Sequence, residues 1–384
     1  MIPYRKLFNQ RQLHILTRAR KIAYLKGQRV FMVGGTTRDL LLGRPDVDLD
    51  LVVEGQGLPF ARELARQLGG RLAYHERFLT ASIYWAGEKV DVATARREYY
   101  PHPGALPEVE PATIAEDLAR RDFSINALAL ALTARDPGEI LDPFNGRADL
   151  EAGAIRVLHP ASFRDDPTRL LRGVRLATRL HFQLAGNTRE LAREALAAGY
   201  LDQVAPRRFW QEFILLLKEP RPVAAWEALL SLGWRGLPGG EAPPDMAAGY
   251  RTEKLLRQWQ WLGLHPPDAM LVYFLTATAK LSPAALEEVL EELKWGRKRR
   301  RVINAARVLQ QEYCFGPAPG LPPGELLAGP RPAPEALIFA LAQAGASQLP
   351  GWALPGGKGD GHAPTKLDPV TSGNSSHPYR PDLS

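Results

Sequence analysis

Cysteine is all but missing from this chain: Cys314 is the only one among 384 residues. One thiol excludes an internal disulfide and any cysteine-built zinc site, and it points to a reducing compartment. A cytoplasmic location is expected. No apolar run approaches the roughly 18 to 20 residues that cross a bilayer, so no membrane association is expected either. Acidic residues are missing before Asp39, yet no apolar stretch follows Met1 as a targeting leader would require. Leu13, Leu16, Ala19 and Ala23 recur at helical spacing instead and predict an ordinary first helix. There is no Walker A pattern, which argues against a P-loop NTPase, and His75-Glu76 stands without the second histidine of H-E-x-x-H. No internal repeat of 20–50 residues is found.

The chain is 45% hydrophobic and 24% charged, a composition that supports a buried core and excludes global disorder. Its length suggests about two to three domains. Lys and Arg number 49 against 42 Asp and Glu, a net +7 that permits polyanion binding without assigning it. Gly and Pro number 34 and 33; residues 349–384 alone hold 6 of each, and that tail is expected to be disordered.

Residues 29–33 read as a buried strand broken by Gly34-Gly35, followed by a short helix over 37–42 that Gly43 ends. A second strand is expected over 47–53, an amphipathic helix over 58–68 and a hairpin over 80–95 with Gly87 in its turn. From about residue 115 helical patterns dominate, apart from a short strand near 154–158. Breaks fall at Pro206, over 236–248 and after about 316.

Asp48 and Asp50 stand two apart on the second strand, so both side chains leave one face. Two carboxylates this close repel unless a cation lies between them, and Mg²⁺ is the usual one where phosphates react. Alternating Asp also suits a solvated edge. A strand that ends in Gly34-Gly35 and turns into a helix lets backbone N–H groups approach an anion. Arg38, one turn in, extends the same surface.

The stretch Val33-Gly34-Gly35-Thr36-Thr37-Arg38-Asp39-Leu40-Leu41-Leu42-Gly43, with Asp48-Leu49-Asp50 after it, resembles the signature of class II tRNA nucleotidyltransferases and bacterial poly(A) polymerases. Their catalytic domain belongs to the DNA polymerase β nucleotidyltransferase superfamily. Arg120-Arg121-Asp122-Phe123-Ser124-Ile125-Asn126-Ala127-Leu128, Asp142-Pro143-Phe144-Asn145-Gly146 and Asp165-Asp166-Pro167-Thr168-Arg169 resemble the family's further motifs, in order and spacing. The match covers about residues 28–235.

The resemblance implies an α+β, DNA polymerase β-like nucleotidyltransferase head followed by all-α neck and body domains, elongated and multi-domain. The division expected is 1–148 for the catalytic head, 149–235 for a helical neck that recognises the base, and 236–330 for a helical body that binds tRNA. A short helix and the Pro/Gly-rich tail would occupy 331–384. The implied activity adds CCA, or the terminal A, to tRNA 3′ ends from CTP and ATP, releasing pyrophosphate. Poly(A) synthesis or CC addition remains open within the family, and an inactive RNA-binding relative remains open outside it.

By the same resemblance Asp48 and Asp50 hold Mg²⁺ and are catalytic, with Asp91 as a third carboxylate. Gly34, Gly35 and Arg38 contact the triphosphate, and Arg121 and Asn126 flank the nucleotide. Asp122 is expected to cap a helix over 123–128. Asp166 and Arg169 select the base, with Arg172 and Arg175 at further nucleotide positions. The family usually has Glu where this chain has Asp165. On a helix after Pro167, Arg169, Arg172, Arg175 and Arg179 fall within roughly 120°, opposite Leu170, Leu171, Val174 and Ala177.

The segment Tyr99–Glu116, with Pro101, Pro103, Gly104 and Pro107, reads as a loop long enough to act as a mobile element. Lys294, Arg297, Lys298, Arg299, Arg300 and Arg301 put six cations into eight residues, a block suited to an RNA backbone. Trp259, Trp261 and Tyr273 fit a helical core better than a stacking platform. The sequence leaves the oligomeric state open.

Overall fold

The computed structural model describes residues 7–44, 48–99, 108–133, 138–240, 242–261, 266–315 and 333–346. The chain opens with α1 (Gln10–Lys26), started by a reciprocal Asn9–Gln12 cap, then β1 (Val30–Val33), α2 (Gly35–Leu41) and β2 (Leu49–Val53). After α3 (Gly57–Leu68) come β3 (Arg71–His75), β4 (Thr80–Trp85) and β5 (Glu88–Thr94). Next are β6 (Arg96–Tyr99), β7 (Glu108–Pro111), α4 (Ile114–Ala119), β8 (Ala129–Ala131) and β9 (Ile140–Leu141).

Seven strands make one sheet in the order β3-β4-β5-β2-β1-β8-β9, with β2 and β5 parallel and the other neighbours antiparallel. Strand alternation splits the sheet's chemistry. Val30 and Met32, Leu49, Leu51 and Val53, Ala81 and Ile83, and Val90 and Val92 pack with α1 and α3 in one apolar cluster. Phe31, Val33 and Val52 join Ile114 and Leu118 of α4 on the other face. Asp50, Asp91 and Ser82 alternate with the first set and therefore share that second face.

The expected helix over 123–128 is not formed. Phe123 is extended and bridges Val157, Ser124–Asn126 makes a single 3-10 turn, and the buried run that follows becomes β8 beside β1. Pairing with a vacant sheet edge outweighs local helical spacing. Tyr99 and Glu108 are strand residues rather than loop: β6 and β7 pair antiparallel, and α4 starts at Ile114 behind a Thr113–Glu116 capping box. Residues 100–107 of that expected loop lie outside the described residues.

Among the remaining described residues the elements are helices but for β10 (Ala154–Ile155) and β11 (Gln183–Leu184): α5 (Gly146–Glu151), α6 (Ser162–Asp165), α7 (Thr168–Leu180), α8 (Gly186–Ala197), α9 (Pro206–Leu217) and α10 (Pro222–Ser231). Then follow α11 (Met246–Trp261), α12 (Ala269–Ala277), α13 (Pro283–Leu293), α14 (Arg297–Phe315) and α15 (Pro334–Gln343). One apolar cluster runs from Phe123 through Leu170, Leu171 and Val174 of α7 and Trp210 and Phe213 of α9 to Phe339 of α15. Trp259 and Tyr273 are buried in it; the side chain of Trp261, like the tail after 346, is outside the described residues. Among the described residues no helix is long and apolar enough to cross a membrane.

Candidate active site

β1 delivers the chain to Gly34, whose φ of 61° and ψ of −131° suit glycine alone. A Cβ there would stand 2.7 Å from Nη1 of Arg121. Arg121 is fixed from behind by Asp117, whose Oδ2 accepts from Nη2 at 2.9 Å, and its Nε is buried without a hydrogen-bond partner. Glycine turn and guanidinium therefore form one cationic corner. Thr36 ties this corner to the aspartates: its hydroxyl donates to the Asp48 carbonyl at 2.6 Å and accepts from the Asp50 N–H at 3.0 Å.

Asp50 and Asp91 are register partners across β2 and β5, and Asp91 faces Ser82 across β5 and β4. Asp91 Oδ1 accepts from the Ser82 hydroxyl at 2.5 Å and Oδ2 from Lys89 Nζ at 2.7 Å. Burial pushes Asp50 up to about 6, Asp91 adding and Asp48 contributing further, while Arg121 and Lys89 oppose. Asp50 and Asp91 line a cavity of about 340 Å³ together with Val33, Val52, His75, Arg120 and Arg121, while Asp48, two residues before Asp50, is exposed. A larger groove of about 590 Å³ lies at the opposite end of β1 and β2, between Lys26–Arg29 and Glu54–Pro59. It has no carboxylate pair, and Arg29 in it closes on Glu54 at 2.9 Å.

Crowded oxygen donors whose charge is resisted by burial and by one another fit a hard divalent cation. Among the described residues no three His, Cys, Asp or Glu side chains converge into a protein-only cage. One or two carboxylates, supplemented by substrate phosphates, is the usual protein share for magnesium.

The remaining expected residues are placed differently. Arg38 is buried, its Nη2 3.5 Å from where a Cβ on Gly35 would stand, and it donates to both Asp39 oxygens at 2.9 and 2.8 Å and to Asn126 Oδ1 at 2.7 Å. Asn126 in turn donates to Asp122 at 3.0 Å, and Arg172 grips the other Asp122 oxygen through Nε at 3.0 Å and Nη2 at 2.7 Å. Burial alone would raise Asp122, but Arg172 and Asn126 prevail and hold it well below the usual carboxylate range. Asp122 is thus the joint between head and α7, not a helix cap.

The arginine row of α7 is not an open solvated face. Arg172 reaches Glu212 at 3.4 Å and Arg175 reaches Glu219 at 3.2 Å, both carboxylates coming from the α9 region. Arg169 is buried and donates to the Ser162 hydroxyl at 2.7 Å and the Arg120 carbonyl at 2.8 Å. Asp166 accepts from the Thr168 N–H at 3.0 Å and from Arg208 at 3.0 Å, so it pairs across to α9 rather than with Arg169. Asp117, Arg208, Glu212 and Thr36 were not singled out from sequence. The i, i+4 spacing of Arg208 and Glu212 was the available signal, hidden within the apolar run of α9.

In the basic block, Lys294 caps α13 in a left-handed conformation and the other cations open α14. Arg299 pairs with Asp268 at 3.2 Å and Arg300 with Glu287, while Lys294, Arg297, Lys298 and Arg301 are exposed.

A family model for the poly(A) polymerase head domain matches residues 30–156. An A-adding tRNA nucleotidyltransferase of Halalkalibacterium halodurans is 45% identical over 233 residues, 59% of this chain and 54% of that protein. A CC-adding tRNA nucleotidyltransferase of Deinococcus radiodurans is 43% identical over 199 residues, 52% of either chain. The chain thus spans about half the length of these relatives. A solved structure of a CCA-adding enzyme in an apo form aligns with TM-score 0.69 at 30% identity, over 88% of this chain and 80% of that one.

Proposed function

Because the chain belongs to the tRNA nucleotidyltransferase and poly(A) polymerase family, we propose that it transfers nucleotides from CTP and ATP to tRNA 3′ ends, completing CCA or its terminal A. The observation that carries this reading is the Asp50–Asp91 pair in one cavity with Arg121, which stands against the Gly34 turn, Asp48 lying two residues before Asp50. In the transfer, the RNA 3′-oxygen forms a bond to the nucleotide's α-phosphorus. The bond to the β-phosphate oxygen breaks, pyrophosphate leaves with that electron pair, and the hydroxyl proton passes to water. Such a reaction needs alignment and charge neutralisation more than covalent help.

Mg²⁺, held by Asp48 and Asp50 and by substrate phosphates, would supply Lewis-acid polarisation and screen the phosphate charge, with Asp91, engaged by Ser82 and Lys89, as the third carboxylate beside it. Gly34, Gly35 and Arg121 receive the triphosphate; the buried, unpartnered Nε of Arg121 supports that role. Asp122, Asn126 and Arg172 form the wall against the sugar, and Asp166, Arg169 and Arg175 read the base. For this, Asp166 exchanges Arg208, and Arg169 exchanges Ser162, for base edges. Arg38, with Nη2 against Gly35, backs the glycine turn and holds Asn126. Exposed Lys294, Arg297, Lys298 and Arg301 meet the tRNA backbone, while Arg299 and Arg300 set the angle of α14. In this scheme 1–148 performs transfer, 149–235 reads the base and 236–330 holds tRNA.

Labelled CTP or ATP is offered with tRNA ending at the discriminator base, at −C and at −CC, beside an unrelated RNA. Incorporation confined to −CC with ATP identifies an A-adding enzyme, and incorporation on the unrelated RNA identifies poly(A) synthesis. Asp48→Ala with Asp50→Ala should abolish incorporation and spare tRNA binding; retained incorporation would reject the metal assignment.

A further inference from the structure

The sheet face that carries the carboxylates does not end at Asp91. Sheet order places the Gly34–Arg121 corner at β1, on one side of β2, and places β5, β4 and β3 on the other. In an in-line transfer the attacking oxygen and the leaving phosphate lie on opposite sides of the reacting phosphorus. If the triphosphate lies at the β1 corner, as the proposed function holds, the attacking RNA end must come in over β5, β4 and β3.

That approach is not bare. Lys89 precedes Asp91 by two residues, as Asp48 precedes Asp50, so Lys89 stands one pleat nearer the glycine turn on the same face. Tyr84 is the register partner of Lys89, and Arg71 is the register partner of Tyr84. The Arg71 guanidinium lies 4.3 Å from the centroid of the Tyr84 ring, and Tyr84 is 36% exposed. Lys89, already bonded to Asp91 at 2.7 Å, links this pair to the carboxylates. The result is a flat, cationic aromatic shelf in line with the reacting centre and opposite the nucleotide corner.

We propose that Tyr84 and Arg71 are the stacking site for the terminal base of the acceptor RNA, with Lys89 beside the last phosphodiester. Aromatic rings and guanidinium planes accept any base, which suits an acceptor end whose terminal residue changes as it grows. The shelf fixes where the 3′-hydroxyl stands and takes no part in choosing the incoming nucleotide.

The test uses the full chain and an acceptor-stem RNA with pyrrolocytidine at its 3′ end, a fluorophore quenched by stacking, without added nucleotide. Wild type should quench it. Tyr84→Ala should lose the quenching and raise KM for RNA about tenfold, leaving KM for ATP and CTP in place. Tyr84→Phe should retain both properties, and Arg71→Ala should weaken both. No quenching by wild type, or quenching and RNA KM unchanged in Tyr84→Ala and Arg71→Ala, would overturn the shelf. Extension of unlabelled RNA by wild type is scored separately. Quenching lost in Tyr84→Ala from a wild type that extends no RNA would reject the proposed transfer and leave the shelf standing.

Discussion

Replacing Asp50 by Asn should make the metal-free protein more stable at neutral pH while abolishing transfer. Asp50 is pushed from 3.8 up to about 6 by burial and by Asp91, against the pull of Arg121. An acid whose folded pKa exceeds its unfolded one favours the fold while protonated. Its stabilising contribution is complete below about pH 4 and is lost as pH rises through about 6. The difference between 3.8 and about 6 corresponds to about 3 kcal/mol, an upper bound on what the ionised carboxylate costs at pH 8. Denaturant unfolding of the full chain with chelator present should show wild type and Asp50→Asn nearly matched only below about pH 4, with a gap of about 1.6 kcal/mol already open at pH 5. At pH 8 the variant should be ahead by about 2 to 3 kcal/mol. Millimolar Mg²⁺ should then raise wild type and leave Asp50→Asn nearly unmoved, since only an ion that binds the native state stabilises it. A variant less stable than wild type at pH 8, or a gap that ignores pH, would refute the account of Asp50.

Arg172→Ala leaves Asp122 buried without its main counter-charge and should cost about 2 kcal/mol at pH 7, read by unfolding. Asp122 is held low, so its contribution is present above the ordinary carboxylate pKa and is lost as pH falls through its depressed value; the difference from wild type should shrink in acid. Gly34→Ala places a Cβ at positive φ and against Arg121, so stability should fall by about 1 to 2 kcal/mol and ATP affinity should drop in equilibrium dialysis. Changing Arg297, Lys298 and Arg301 together to Ala should weaken tRNA binding and flatten its dependence on log salt by about one for each phosphate no longer neutralised, as measured by filter binding.

Much of the head is readable from alternation and spacing. The strands at 30–33 and 49–53, the hairpin around Gly87 and the helix at 57–68 follow local patterns that tertiary packing does not overrule. Asp48 and Asp50 share a face because a strand alternates, and no further knowledge is needed. What local pattern cannot supply is which distant segment completes the pair. Asp91 meets Asp50 through parallel register across a connection that includes α3, β3 and β4. The helix expected after Asp122 failed for a related reason: the buried run at 127–132 alternates Ala and Leu with the period of a strand and pairs along the edge of β1. The arginines of α7 were legible as a stripe, and their partners were not. Glu212 stands on α9 and Glu219 just past its end, and only packing shows that Arg172 and Arg175 of the stripe are neutralised internally.

Building the sheet also wires the site. β8 pairs along β1, and Arg121 lies eight residues ahead of Ala129, at the start of β8. When β8 zips onto β1, it draws the guanidinium to the glycine at the end of that same strand. A nascent chain that has emerged only as far as β5 can bring its aspartates together while still lacking the cation that faces phosphate. In chain order Asp48, Asp50 and Asp91 all precede Arg121 and β8, so the carboxylates are complete before the cation and the strand that carries it are made.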